Sequence, residues 1–201
     1  MSKITAGLFI SLDGVIADPA DWHFPYFNDE MGAAVAAQLG AADTLLLGRT
    51  TYESFAAAWP QREVEGDGDA ALARSFGDAR KIVVSHRPLE FVWRNSEQLK
   101  GELLQAVAAL KQGPGRSDIA ISGSVSIVRQ LLAAGLIDEL HLLVHPLALR
   151  TGERLFDEGS PIPLRLLSAQ SFTTGVVHLV YGPQADAPTG DYGDAKAHLP
   201  Q

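Results

Sequence analysis

Between Thr44 and Phe55 the hydrophobic pattern changes period, and that switch constrains the fold more than any other stretch of the chain. Thr44 to Leu47 form a short apolar run of the length a buried strand needs. Gly48 lets the backbone turn, and Thr50 with Glu53 three residues on has the spacing of a helix capping box. Strand, glycine, arginine and helix start make a layout suited to an anion. Free N–H groups point outward, the helix dipole favours negative charge, and Arg49 adds a fork of donors matched to phosphate. Taken alone, the stretch reads equally well as a capped helix with a surface arginine.

The layout returns twice. Lys81 to Ser85 is an apolar strand followed by His86, Arg87 and Pro88, either basic groups for a phosphate or a solvated turn stopped by proline. Asp118 to Ser122 leads through Gly123 into Ser124, Val125 and Ser126. There the glycine allows close approach of a ligand, and the amides and hydroxyls of a helix start face outward.

The remaining elements are placed around these three. Lys3 to Leu12 reads as a first strand, apolar at Ile4, Ala6, Leu8, Phe9 and Ile10 with little alternation, as in a sheet covered on both faces. Asp13 follows at its end, either a candidate site carboxylate or an aspartate bonding the local backbone. Trp22, Phe24, Tyr26 and Phe27 crowd around Pro25 in a loop without period. Such rings line a flat ligand or pin the loop to the core, and the loop's place after the first strand favours the ligand. Asn28 to Leu39 reads as a helix capped by Asn28 and ended at Gly40.

The Thr50–Ala58 helix is expected to stop near Trp59 and Pro60. An acidic, solvated excursion then covers Gln61 to Asp78, with a run of alternating Glu, Gly and Asp at residues 65–69 and a short helical piece near Ala70–Arg74. Phe91–Trp93 reads as a brief edge strand, and Ser96–Lys111 as an amphipathic helix with Leu99, Leu103, Val107 and Leu110 on one side, ended by Gly113, Pro114 and Gly115. A helix to Ala134, a strand over Leu136–Val144, a long loop over Leu147–Pro163 and a hairpin of Leu164–Ser171 with Val176–Gly182 complete the domain. His141 is a core or sheet-face histidine rather than a ligand. Residues 184–201 read as a loose tail.

Strands alternating with helices imply a three-layer αβα fold, mostly parallel, with helices on both faces and a C-terminal antiparallel strand. Ligands of such sheets sit at the carboxyl ends of the strands, where Asp13, Gly48, Arg49, Ser85, Arg87 and Gly123 all fall. At 201 residues one domain is expected, over residues 1–183. A net charge of −8 argues against nucleic acid or anionic membrane as partners. The absence of cysteine excludes disulfides, thiolate zinc sites and cysteine nucleophiles. His23, His86, His141 and His145 lack metal-ligand spacing with carboxylates, so no metal is expected. With no export signal and no spanning segment, a cytoplasmic protein is expected. Neither Gly-x-Gly-x-x-Gly after the first strand nor a Gly-x-x-x-x-Gly-Lys loop is present.

In this order, Ser11–Ala17, Leu47–Glu53, Lys81–Ser85, Ile121–Ser124 and Ile137–Leu140 give the chain a resemblance. It resembles the dihydrofolate reductase-like superfamily, most closely the C-terminal reductase domain of the riboflavin biosynthesis protein RibD, from about Lys3 to Pro183. The resemblance implies an NADPH-dependent reductase acting on a small, heterocyclic substrate, usually a homodimer. By motif, Gly48, Arg49 and Thr50 would hold the cofactor phosphates with Thr51 close by. Ser85, His86 and Arg87 would meet the adenosine 2′-phosphate, and Gly123, Ser124, Val125 and Ser126 would follow the pyrophosphate and nicotinamide ribose. Asp13 would stand at the mouth as a polar contact or proton relay, with Trp22, Phe24 and Tyr26 as the substrate wall. Two alternatives stand beside this one: true dihydrofolate reduction, and a dimeric nucleotide-binding protein without turnover. True dihydrofolate reductases carry an acidic residue on the helix after the first loop, and neither Asp29 nor Glu30 is matched to it.

Overall fold

Leu45, Leu46 and Leu47 are almost wholly buried, and they divide between two cores. Leu46 joins Ile4, Ile121, Val107 and Ile127 on one side of a sheet, while Leu45 and Leu47 join Leu39, Tyr52 and Phe76 on the other. A strand covered on both faces needs no polar face, which is why the apolar runs do not alternate.

The computed structural model describes residues 1–66, 68–113, 117–156 and 159–198. Its strands are β1 (Ile4–Ser11), β2 (Thr44–Gly48), β3 (Arg80–Val84), β4 (Ser96–Gln98), β5 (Ile119–Ser122), β6 (Glu139–His145), β7 (Leu164–Ser171) and β8 (Val177–Pro183). Its helices are α1 (Asp29–Gly40), α2 (Arg49–Glu65), α3 (Ala70–Asp78), α4 (Leu103–Gln112), α5 (Val125–Ala133) and α6 (Tyr192–Lys196). One sheet runs β4-β3-β2-β5-β1-β6-β8-β7, parallel from β4 to β6 and antiparallel through β8 and β7. Helices α4 and α5 pack on one face and α1, α2 and α3 on the other. This is the expected three-layer fold with its antiparallel C-terminal hairpin.

Several local expectations are corrected. Gly48, not Thr50, is the N-cap of α2, and Glu53 pairs with Arg49 instead of closing a capping box. The helix does not stop at Pro60 but continues to Glu65, and α3 takes the second half of the expected solvated excursion, residues 70–78. Proline removes one helical hydrogen bond, but packing from outside the helix holds the segment in place. Trp59 and Phe55 lie against Phe76 of α3 at 4.6 and 6.2 Å, and Arg62 covers Trp59 at 4.8 Å. Arg94 then clamps both helices, donating to Glu63 at 2.7 and 3.0 Å and to Asp78 at 2.9 Å.

The expected helix over Ser96–Lys111 starts only at Leu103, because Ser96–Gln98 pairs with β3 as the edge strand. Gly101, at φ +87°, separates the two. Leu99 still packs on the same core as Leu103 and Leu110, so it mimics a helical position from a loop. Phe91–Trp93 is not a strand. Trp93 is instead a buried anchor whose amide donates to the Tyr52 hydroxyl at 3.3 Å. The tail carries the short helix α6, with a capping box between Asp191 and Asp194. Asp67 of the acidic run, Pro114 and Gly115 of the helix stop, Asp157 and Glu158 of the long loop, and the last three tail residues lie outside the described residues. No helix among the described residues is long and apolar enough to cross a membrane.

Candidate active site

The parallel register decides which strand ends are neighbours. Gly48 aligns with Val84, which sets the Ser85–Arg87 turn beside the start of α2. On the other side β2 pairs with β5, whose end feeds Gly123 and Ser124, and β5 pairs with β1, whose end feeds Asp13. Ser11 in turn aligns with His145 at the end of β6. From β3 to β6 the crevice crosses four strand intervals, about 19 Å at the usual spacing.

Two strand-to-helix turns are locked together at its centre. The Ser124 hydroxyl accepts from the Gly48 amide at 2.8 Å and donates to Thr51 Oγ1 at 3.0 Å. Ser124 sits at φ +51°, ψ +48°, a conformation that costs a non-glycine residue energy and is kept where surroundings demand it. Gly123 is also left-handed, at φ +65°. Neither α2 nor α5 has a side-chain cap; Ile127 N in the first turn of α5 donates to Ser124 O at 2.9 Å, and the amides of Val125 and Ser126 before it stand at the positive end of the helix. Thr50 and Ser126 are exposed beside them, and Val125 is half-buried.

At the end of β3 the turn is preshaped. The Ser85 hydroxyl donates to Arg87 O at 2.8 Å and accepts from Arg87 N at 3.2 Å, while the Gln98 amide donates to Ser85 O at 2.7 Å. Ser85 thus shapes the turn with its hydroxyl, and Gln98 is a supporting residue that sequence reasoning missed. The side chains of His86 and Arg87 stand exposed with no polar partner among the described residues. Arg49 is half-exposed and bonded through Nε to Glu53 at 2.8 Å.

Asp13 lies just past the end of β1, and its oxygens are already engaged. Oδ1 accepts from Ser11 Oγ at 2.7 Å and from Leu149 N at 3.0 Å, and Oδ2 accepts from Arg150 N at 2.9 Å with the Arg154 guanidinium 3.6 Å away. The Ser11 hydroxyl, aided by the Arg150 and Leu149 amides and opposed by burial, holds its pKa down to about 2. A carboxylate this acidic carries no proton to relay at neutral pH. Its place is that of a clasp binding the 147–154 loop over the end of β1. Glu30 is likewise committed: it accepts from Thr173 N at 2.8 Å and Thr173 Oγ1 at 2.6 Å, tying α1 to the β7–β8 turn. Asp29 is exposed in the first turn of α1.

The aromatic loop sits over the ends of β1 and β6. Trp22 is buried and donates from Nε1 to Ala17 O at 2.9 Å, Tyr26 is half-buried, and Phe24 is exposed. They surround His23 and His145, which the sequence offered only as metal ligands without the spacing for it. His145 meets Trp22, Tyr26 and Phe9 edge to face at 5.0, 5.6 and 5.8 Å. Burial lowers the pKa of both histidines, that of His23 to about 4 with help from His145. The only sequence signals were a histidine inside an aromatic loop and another closing a strand before a proline. No group of three or more His, Asp or Glu side chains among the described residues could hold a metal ion.

Comparison with known proteins agrees with this architecture. Residues 2–178 match the family model of the RibD C-terminal domain. The uncharacterized protein YyaP of Bacillus subtilis (strain 168) is 30% identical over 183 residues, covering 89% of this chain and 94% of that one. The crystal structure of a candidate riboflavin biosynthesis protein from Shewanella sp. PV-4 superposes with a TM-score of 0.67 at 22% identity, over 90% of this chain and 99% of that one. A pyrimidine reductase-like protein from Corynebacterium diphtheriae superposes with a TM-score of 0.66 at 16% identity, over 92% and 93% of the two chains. A family match across nearly the whole domain, on this sheet order and these strand-end turns, makes the chain a member of the RibD C-terminal domain family, the riboflavin-type reductase branch of the dihydrofolate reductase-like fold.

Proposed function

We propose that the protein is an NADPH-dependent reductase that delivers a hydride to a small planar heterocycle, in the manner of the 5-amino-6-(5-phosphoribosylamino)uracil reductase of riboflavin biosynthesis. The observation that carries this reading is the Ser124 bridge, which holds two uncapped helix starts side by side. A cofactor with a pyrophosphate needs such a paired set of amides. The residues fit the rest of the dinucleotide. Gly48 is the N-cap of α2, and its amide is held by the Ser124 hydroxyl at 2.8 Å, so the two turns stay side by side. Arg49 adds charge beside the amides, and Arg87 with His86 offers unpaired donors for a 2′-phosphate one strand away. When bound, NADPH supplies the hydride. The chain's own task is positioning and exclusion of water: Asp13 pins the loop that closes the mouth, and Trp22, Phe24 and Tyr26 wall the substrate end.

The same reading carries a homodimer. Strand β7 is exposed from Arg165 to Ser171 along the sheet edge, with Leu166 and Leu167 at 51% and 40% exposure, a surface that isolated chains rarely leave uncovered. Sedimentation velocity that returns a single monomeric species would remove it from the proposal.

Titration with NADPH and NADH, read by tryptophan and cofactor fluorescence, tests the cofactor assignment. NADPH is expected to bind more tightly. Arg87→Ala should weaken NADPH by about tenfold to a hundredfold, the loss of charge-assisted hydrogen bonds, and leave NADH within about twofold. Equal loss for both cofactors, or no binding of either, would refute it.

A further inference from the structure

The edge strand β4 has only three residues, and the side chain of its last one reaches past the end of the ladder. That parallel ladder with β3 runs from Lys81 N, which donates to Asn95 O at 2.8 Å, to Leu99 N, which donates to Val83 O at 2.9 Å. The next rung would fall on Ser85 O, two residues beyond Val83. Gly101, at φ +87°, bends the chain away towards α4 before that rung. Gln98 takes the carbonyl instead. Its Nε2 donates to Ser85 O at 2.7 Å and to Arg87 O at 3.3 Å, so the two hydrogens of one amide group hold both ends of the turn.

Strand β4 is itself fixed at its other end. Asn95 stands in the left-handed region at φ +57°, and its side chain donates to Gly77 O at 3.1 Å and to Asp78 O at 3.2 Å, where α3 ends. A non-glycine residue keeps such a backbone only where its surroundings demand it. Gln98 therefore hangs from a braced strand.

Holding Ser85 O also orients the amide that follows. The Ser85–His86 peptide is trans, so its N–H points opposite to its C=O. With the carbonyl turned to β4, the His86 N–H faces the β2 side, where Gly48 aligns with Val84 and Arg49 opens α2. That N–H has no acceptor among the described residues. It stands beside the side chain of Arg87, which is exposed.

Resting on the NADPH reading of this crevice, we infer that Gln98 is a positioning residue for cofactor selectivity: it fixes the Ser85–His86 peptide so that the His86 N–H and the Arg87 side chain converge on the 2′-phosphate. Selectivity between NADPH and NADH then depends on a neutral side chain of the edge strand that does not touch the cofactor. A donor held in place gives its hydrogen bond to the phosphate without an ordering cost, and a peptide free to turn does not.

Gln98→Met keeps the length of the side chain and removes both donors. Fluorescence titration of this variant should show NADPH weakened by about fivefold to tenfold and NADH within about twofold of the wild type. A role confined to the fold would weaken both cofactors or neither. Proton–nitrogen correlation spectra of the wild type add a readout independent of how the variant folds: the His86 amide should move downfield on adding adenosine 2′-monophosphate and stay in place on adding adenosine. In Gln98→Met that shift should be largely lost. An unchanged ratio of NADPH to NADH affinity in the variant, equal weakening of both, or a wild-type His86 amide indifferent to the 2′-phosphate would overturn the role. A wild-type preference for NADPH that survives Gln98→Met removes Gln98 and leaves the reductase reading standing, whereas a wild type that binds neither cofactor removes that reading and the role with it.

Discussion

The two halves of the crevice are built on opposite terms with water. At the ends of β3, β2 and β5 the polar groups are open: uncapped helix amides, exposed Arg87 and His86, half-exposed Arg49. Water satisfies them in the free protein, so they cost little until a ligand displaces that water. At the ends of β1 and β6 the polar groups are shut inside rings, and two imidazole nitrogens stay unpaired where water does not reach them. The open half presents its polar groups to solvent, whereas the closed half carries the standing cost of two nitrogens buried without a partner.

The largest expected effect breaks the comparison by acid. His23 titrates near 6.5 when unfolded and near 4 when folded, so between those values the unfolded chain binds more protons and stability falls as the pH is lowered. His23 accounts for up to about 3 kcal/mol of that loss. The lowered pKa values of His145, His141 and His178 act in the same direction. Asp13 opens a separate, lower window: its folded pKa near 2 lies below its ordinary 3.8, so its stabilisation is full above 3.8 and is lost as the pH falls towards 2. Thermal melts from pH 7 to pH 3 should therefore decline in the upper window, and His23→Phe should flatten part of that decline. An unchanged slope in the variant would mean that the closed half is not the acid-sensitive one.

A smaller effect is expected at the joint of the open half. Ser124→Ala removes the hydroxyl shared by Gly48 and Thr51 and should cost about 1 kcal/mol in urea denaturation. If the bridge also aligns the two helix starts, NADPH affinity should fall with it, by about fivefold. Loss of stability with unchanged affinity would assign the bridge to the fold alone.

The open half was legible in the sequence because its signals are local. A glycine or hydroxyl residue between an apolar run and a helix start is visible within ten residues, and Gly48, Gly123 and Ser124 stand where that pattern put them. What was hidden depends on distant partners. Pro60 reads as a stop until Phe76, sixteen residues on, is known to pack against Trp59. Lys81 reads only as the first residue of an apolar strand, yet it is wholly buried and caps α3 by donating to Phe76 O, Gly77 O and Ala79 O at 2.7–2.8 Å. The carboxylate of Asp13 reads as available until Leu149 and Arg150 arrive from 136 and 137 residues away. The unpaired nitrogens of His23 and His145 are a property of the closed box and of nothing in their own neighbourhoods.

The smallest expected effect sharpens the comparison by its lack of a stability signal. Arg49 and Glu53 form an exposed pair one helical turn apart, 41% and 52% exposed, and such pairs contribute only about 0.3–0.5 kcal/mol. Arg49→Ala should therefore leave the melting temperature within about two degrees of the wild type. The same substitution removes a cation beside the open amides of α2, so NADPH and NADH should both weaken, each by about tenfold, because the pyrophosphate is common to the two. That pattern differs from the NADPH-selective loss expected of Arg87→Ala, and the pair of variants places the two phosphate positions along the strand ends. If Arg49→Ala lowers the melting point and spares both cofactors, the arginine serves α2 through Glu53, and the anion lies elsewhere along the crevice.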